Sequence, residues 1–442
     1  MEVFEAEAIA GGGARSMELT LPGFLHDFGS AVHPFAIGSP FFSSLPLGEH
    51  GLEWIHSPAV LAHPLEDGTA VILERDLAGT KHALGEDGSA WARMVRPFAD
   101  RWWQFIEDAL RPMPAIPAHP WLMARFGMRA LLPATVIARR FRSARTRALF
   151  AGLAAHSMVS LDEALSGAFG MLLAVAAHAV GWPVPRGGAQ SITSALCGYL
   201  ANLGGKVTTS SRIESLQLLP EHDIALCDVT PRQLLAIAGA HLSEGYKQKL
   251  QNFRYGPGVF KVDYALSEPI PWRARECLHA ATVHVGGRFE EIAASEKTMS
   301  NGEHSERPFI ILAQPSLFDG LRAPAGKHTA WGYCHVPNGS TADMLPAIES
   351  QIERFAPGFR EIILARHLAS PAKLEAADAN LVGGDIGGGA MDLRQFAFRP
   401  TWRHYATSSR SIYICSSSTP PGGGVHGMCG FHAAKLALGR IG

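Results

Sequence analysis

The stretch SSSTPPGGGVHGMCG, Ser416 to Gly430, decides the fold. Inside it, Gly422-Gly423-Gly424-Val425-His426-Gly427 matches G-x-G-x-x-G to the letter. A dinucleotide fingerprint follows a strand tightly, opens a helix and meets an acidic residue about 20 positions later on a second strand. Here Ser416 to Pro421 separates the glycines from the strand expected over 411–415, and no second strand follows. It is therefore not a βαβ fingerprint. It is a glycine-rich loop leading onto a helix expected over 427–438, whose free backbone N–H groups suit a phosphate or a polarised ring edge. The alternative is a plain C-terminal turn; three glycines held just before a helix favour a ligand loop. His426, the sole titratable side chain there, is a candidate for proton transfer or for a structural hydrogen bond.

The other end of the chain offers a partner for this loop. Glu2 to Ala6 reads as a short strand, and Val3-Phe4-Glu5 resembles the second strand of a dinucleotide fold, whose terminal carboxylate binds ribose hydroxyls. Gly11 and Gly12, with Arg15, would then let backbone and a cation approach the dinucleotide; a plain turn is the competing reading. Gly383 to Gly389 lacks fingerprint spacing and reads as an ordinary loop. No Ser-His-Asp, H-E-x-x-H, Walker or G-x-S-x-G arrangement is present.

Between the two ends the texture changes twice. A helix is expected over 191–203, ending at Gly204-Gly205, the preferred residue type past a helix end. Strands are expected over 206–210, 212–218 and 224–228. From Val259 the pattern alternates with period two over 259–264, 281–285, 309–313 and 328–336, which indicates an antiparallel sheet. In the last of these, Thr329, Trp331, Tyr333 and His335 share one face, suited to a ligand cavity floor or to a packed core. Helices are expected over 98–110 and 344–355.

Composition bounds the function. With 39 Lys and Arg against 40 Asp and Glu, the chain lacks the basic excess that general nucleic-acid binding requires. The six cysteines, Cys197, Cys227, Cys277, Cys334, Cys415 and Cys429, show no metal-type spacing; most sit in apolar runs, as buried free thiols do, which fits a reducing, cytoplasmic compartment, and no metal site is expected. The apolar window 164–182 is expected as a buried helix rather than a membrane span. From Ala109 to Leu161 there is no Asp or Glu, and the Arg-rich 111–147 region suits either an anionic membrane surface or a solvated helix face answered by acids elsewhere.

In chain order these pieces resemble the phytoene-desaturase-like flavoproteins. The resemblance is carried by Glu2 to Ala6 with Gly11 to Ser16, by Phe24 to Pro34 (FLHDFGSAVHP), by Pro185 to Leu196 (PRGGAQSITSAL) and by the C-terminal stretch. It covers essentially the whole chain. The most similar subgroup is named for a pyridine nucleotide-disulphide oxidoreductase domain, a name that promises a redox cysteine pair this sequence lacks. The resemblance implies an α/β fold, with a Rossmann-like FAD domain interleaved with an α+β substrate domain on an antiparallel sheet. The expected division is 1–40, 185–235 and 395–442 for FAD, and 41–184 with 236–394 for substrate.

It also implies an FAD-dependent oxidoreductase that passes hydride from an apolar organic substrate to flavin. Glu5 would hold the adenosine ribose, Gly11, Gly12 and Arg15 the pyrophosphate side, and Ile213 would present backbone to adenine. Gly29 and Ser30, with Gly423, Gly424, Val425, His426, Gly427 and Met428, would lie along the flavin. In the family G-x-G-x-x-G stands upstream of the ribose carboxylate, whereas four residues precede Glu5 here. An N-terminally truncated phosphate-binding unit is therefore expected. The alternative function is a non-catalytic, flavin-free binding or regulatory protein.

Overall fold

A computed structural model describes residues 1–112 and 115–440, without the side chain of Arg394. Its centre is a seven-stranded sheet, ordered Ile363–Ala369, Gly258–Leu266, His328–Val336, Ile310–Ala313, Ala280–Val285, Ala59–Pro64, Ala70–Leu73. The period-two segments pair antiparallel, with Phe260 opposite Cys334 and Ile310 opposite Cys334 on the other side. The sheet is mixed, however, because Ala280–Val285 runs parallel to Ala59–Pro64. The expected antiparallel sheet is corrected at that one junction, where distant segments meet without a hairpin to impose direction.

Both sheet faces are covered, so burial of the inner strands is near-continuous, while the edge strands Ile363–Ala369 and Ala70–Leu73 still alternate. Val262, Tyr264, Leu312 and Ala330 pack under the helix Leu345–Phe355 through Ile348, Ile352 and Phe355. On the other face lies a helical layer including Gly88–Ala99, Trp102–Ala109, Ala144–Ala155 and Ser166–Ala179. The helix expected over 98–110 is broken at Asp100–Arg101, so Phe98 ends Gly88–Ala99 and a new helix starts at Trp102, but Trp102, Phe105, Ile106 and Leu110 all enter this core as their spacing implied. The apolar window 164–182 supplies a buried helix of 14 residues. No helix among the described residues is long and apolar enough to cross a membrane.

The α/β part is built from short parallel pairs. Glu2–Phe4 pairs with Lys206–Thr208, joined in space by the helix Gln190–Asn202, which ends at Gly204 with φ 80°. Ala225–Cys227 pairs with Ile412–Ile414, and the C-terminal helix runs over Met428–Leu438. The two pairs do not pair with each other. The expected strand over 212–218 is instead a loop closing in a 3-10 turn, Leu216–Leu218, where the Ser215 hydroxyl accepts the Gln217 N–H. A side chain that satisfies its own backbone competes with a ladder in this way.

Candidate functional site

A cavity of about 2220 Å³ runs between the parallel pairs and onto the inner face of the large sheet. It exceeds the ~300–1,000 Å³ typical of a small-molecule site, leaving room for two ligands end to end.

At its first end Glu5 follows the strand Glu2–Phe4, and its carboxylate accepts the Glu7 N–H at 2.9 Å. The Ser211 N–H donates to the Glu5 carbonyl at 2.8 Å, which brings Ile213 into the same wall. Asp228, at the end of Ala225–Cys227, also faces this end. Its side chain is open to the cavity, yet the walls around it thin the surrounding water and, with the nearby Asp378 and Glu5 charges, raise its carboxyl to about 6.

Gly11 and Gly12 carry φ of 138° and 51°, conformations that favour glycine, and they bring bare backbone to the wall. Arg15 lines the cavity too, but its guanidinium is largely committed: Nε donates to Gly12 O at 2.8 Å and Nη2 to Ala377 O at 3.0 Å. It thus braces the glycine loop rather than projecting freely. Gly29 lies under that loop, where a Cβ would fall 2.4 Å from Gly13 O, and the Ser30 N–H donates to the same carbonyl at 3.3 Å. Both residues line the cavity.

From the C-terminal motif, Gly423, Gly424, Val425 and His426 reach the wall. Gly427 and Met428 do not: a Cβ on Gly427 would meet the Phe42 ring at 2.5 Å, and Met428 is buried in the helical core. His426 Nδ1 accepts the Met428 N–H at 3.0 Å. That bond fixes a neutral imidazole with its proton on Nε2, and burial lowers its pKa to about 4 against the Gly422 carbonyl. The structural role foreseen for His426 is present in this bond. The loop Gly383 to Gly389 also belongs here, since Ile386 and Gly387 line the cavity and Gly387 packs directly under Gly423. Glycine spacing concealed this, because the loop serves as a support.

The far end is floored by the large sheet. Trp331 and Tyr333 line it, their rings stacked at 5.6 Å, while Thr329 and His335 on the same strand face do not reach it. Beside them is Lys261, buried and ion-paired with Asp263, its Nζ 5.4 Å from the Trp331 ring centroid. Asp263 also meets His367 Nδ1 at 3.2 Å. The sequence signal for this pair was two opposite charges at i and i+2 in an otherwise apolar strand. His156 lines the same end, with Nε2 2.9 Å from Nε2 of the fully buried His284. Burial lowers both imidazoles, His156 to about 3, so the pair is neutral. Apolar side chains including Met158, Leu165, Phe169 and Leu172 close the remaining wall.

No family model matches the chain. It is similar to pyridine nucleotide-disulfide oxidoreductase domain-containing protein 2 of Mus musculus, at 24% identity over 521 aligned positions, covering 99% of this chain and 88% of that protein. It is also similar to the neurosporene-forming phytoene desaturase of Rhodobacter capsulatus, at 25% identity over 55% of this chain and 51% of the relative. Among solved structures, an oxidoreductase from Methanosarcina mazei superposes with TM-score 0.63 and 13% identity, covering 100% of this chain and 93% of that one. Putrescine oxidase bound to putrescine superposes with TM-score 0.58 and 14% identity, over 99% and 93%. The resemblance read from the motifs and the Rossmann-like fold class are thereby borne out.

Proposed function

With similarity to the phytoene-desaturase-like oxidoreductases as premise, we propose that this chain is an FAD-dependent oxidoreductase acting on an apolar organic substrate. One observation carries the reading: a single cavity joins Glu5, the Gly11–Arg15 loop, the Gly423–His426 loop and an aromatic sheet floor. The residues fit the cofactor. Glu5 offers a carboxylate for ribose hydroxyls, the backbone near Ile213 an edge for adenine, and Gly11, Gly12 and Gly423 bare N–H groups for phosphate and ring atoms. FAD, when bound, supplies the hydride acceptor.

The chain's own part is to seat the substrate, exclude water and handle the proton that leaves with the hydride. Trp331, Tyr333, Phe169 and Leu172 give the substrate a largely apolar seat. His156 is the residue we assign to the proton: it faces the cavity, and with Nε2–H donated to His284 its Nδ1 is left to accept, while burial, which keeps it neutral, makes it pass the proton on rather than retain it.

A second reading, a flavin-free binding protein, draws on a different observation. The strands Glu2–Phe4 and Ala225–Cys227 share no ladder, and the carboxylates of Glu5, Asp228 and Asp378 gather where an anionic dinucleotide would lie. Purification of the full chain separates the two. Yellow protein with the flavin absorbance bands, bleached anaerobically by an apolar amine, alcohol or polyene, supports the oxidoreductase. Colourless protein that stays empty in excess FAD overturns it.

A further inference from the structure

The helix Pro120–Ala130 presents apolar side chains on both of its sides. Its inner side enters the helical core through Leu122, and Met123, Phe126 and Ala130 line the cavity. Its outer side carries Trp121, 88% exposed, Met128, 72% exposed, and then Leu131 just past the helix end. These fall at i, i+7 and i+10, with Ala124 between them, so they form one stripe. Ile116, 89% exposed, stands just before the helix. Exposed tryptophan and long aliphatic side chains, contiguous on one helix, are unusual on a face that meets only water.

Arginine side chains rim this stripe. Arg125, Arg139 and Arg140 are exposed, and none of them, nor Arg129, forms an ion pair among the described residues. Arg129 has a buried Nη1 with no hydrogen-bond partner, and burial together with the Arg140 and Arg125 charges disfavours its cationic form. Asp108, the last acid before the acid-free stretch, is spent inside the fold. It accepts the Ala118 and His119 N–H groups at 2.8 Å each and so pins the start of the helix. The clustered guanidinium groups therefore lack an anion that the chain itself supplies.

Ile116 and Leu131 are both strongly exposed and part of the cavity wall, so the apolar end of the cavity opens within this same patch. We propose that the outer face of Pro120–Ala130, with Ile116, Leu131 and the rim of Arg125, Arg139 and Arg140, docks on an anionic lipid bilayer, placing the cavity mouth against the acyl region. Tryptophan sits at the depth of the headgroups, the aliphatic side chains below it, and the guanidinium groups pair with lipid phosphates and acidic headgroups. An apolar substrate then passes from the bilayer into the cavity without crossing water. The lipid surface is the commitment; a second copy of the chain or a protein partner is the competing occupant. The doorway role rests on the apolar-substrate reading, whereas docking is read without flavin or turnover, so the two can fail separately.

The test is sedimentation of the full chain with phosphatidylcholine vesicles, alone or containing phosphatidylglycerol, at low and high salt. The expected result is binding to the anionic vesicles, reduced severalfold by salt and by either Trp121→Ser/Met128→Ser or Arg125→Gln/Arg139→Gln/Arg140→Gln. Both multiple variants change exposed side chains, and an unchanged thermal melt confirms that they fold. Negligible binding to both vesicle types, or binding that neither variant weakens, overturns docking. A self-association in light scattering that Trp121→Ser/Met128→Ser abolishes, without vesicle binding, assigns the face to a second copy and overturns the lipid assignment.

Discussion

Arg322 Nη1 lies 2.8 Å from Asp27 Oδ2 with both side chains wholly buried, and it ties the large sheet to the cavity's glycine loops. Arg322 Nε also meets Asp319 Oδ2 at 2.9 Å, and Nη2 donates to Pro185 O. Asp27 Oδ1 accepts from Ser16 Oγ and from the Ala189 N–H, while Asp319 accepts the Gly187 N–H. The network thus fastens the segment after Gly11–Arg15 to the turn that opens the helix Gln190–Asn202.

Removing the cation leaves two buried carboxylates without their counter-charge. Arg322→Met is expected to cost about 3–5 kcal/mol, since breaking a buried pair strands the remaining ions. Urea unfolding of wild type and variant measures this. A loss under about 1 kcal/mol would show that the network orients loops without stabilising the fold.

Gly29→Ala probes the same loops from below. The added Cβ would fall 2.4 Å from Gly13 O, a backbone atom that can yield only by moving the Gly11–Arg15 loop. FAD affinity is expected to fall tenfold or more, about 1.4 kcal/mol, with a smaller effect on melting. Titration followed by flavin fluorescence reads the affinity; an unchanged Kd would remove this loop from the cofactor site.

The relation between sequence and structure is clearest at these loops. Period-two alternation exposed the strands of the large sheet, because a strand packed on both sides still sends successive side chains to opposite faces. It could not reveal the parallel junction of Ala280–Val285 with Ala59–Pro64, which depends on chain crossing rather than on residue pattern. The glycine motifs were legible because they carry bare backbone to one wall. The His156–His284 contact, 128 residues apart, and the Arg322 network, spanning 295, were not. Nothing local marks a histidine or an arginine whose partner arrives only with the tertiary fold.

Asp228 makes the cofactor end pH-dependent. Its pKa of about 6 reflects partial desolvation by the cavity walls, then the Asp378 and Glu5 charges, while the side chain stays open to the cavity. A bound diphosphate adds negative charge and raises it further, so binding takes up a proton and affinity rises as pH falls through about 6. The expected outcome is an FAD Kd severalfold tighter at pH 5.5 than at pH 7.5, and a flatter profile in Asp228→Asn. A wild-type Kd that weakens on acidification would show that no proton accompanies the ligand at this carboxyl.

The imidazole pair at the substrate end gives the last prediction. His156 Nε2 and His284 Nε2 share one proton across 2.9 Å. His284 Nδ1, turned toward the closely packed Gly152, has no hydrogen-bond partner. The bond to His156 is therefore the hydrogen bond His284 has among the described residues. His156→Phe strands the His284 ring in the core and is expected to cost about 1–3 kcal/mol, the penalty of an unmet buried polar group. His284→Phe costs less, because the His156 ring can turn to the cavity for water. With both imidazoles replaced, no polar atom is stranded, so the double variant is expected to be more stable than the sum of the single losses implies. A double-mutant cycle in urea measures the coupling. If the pair also handles the substrate proton, His156→Phe slows flavin reduction about 10²-fold, while His284→Phe leaves most of the rate. Equal rate losses in both variants would place the proton on the pair as a unit, and additive stabilities would show that the two rings act independently.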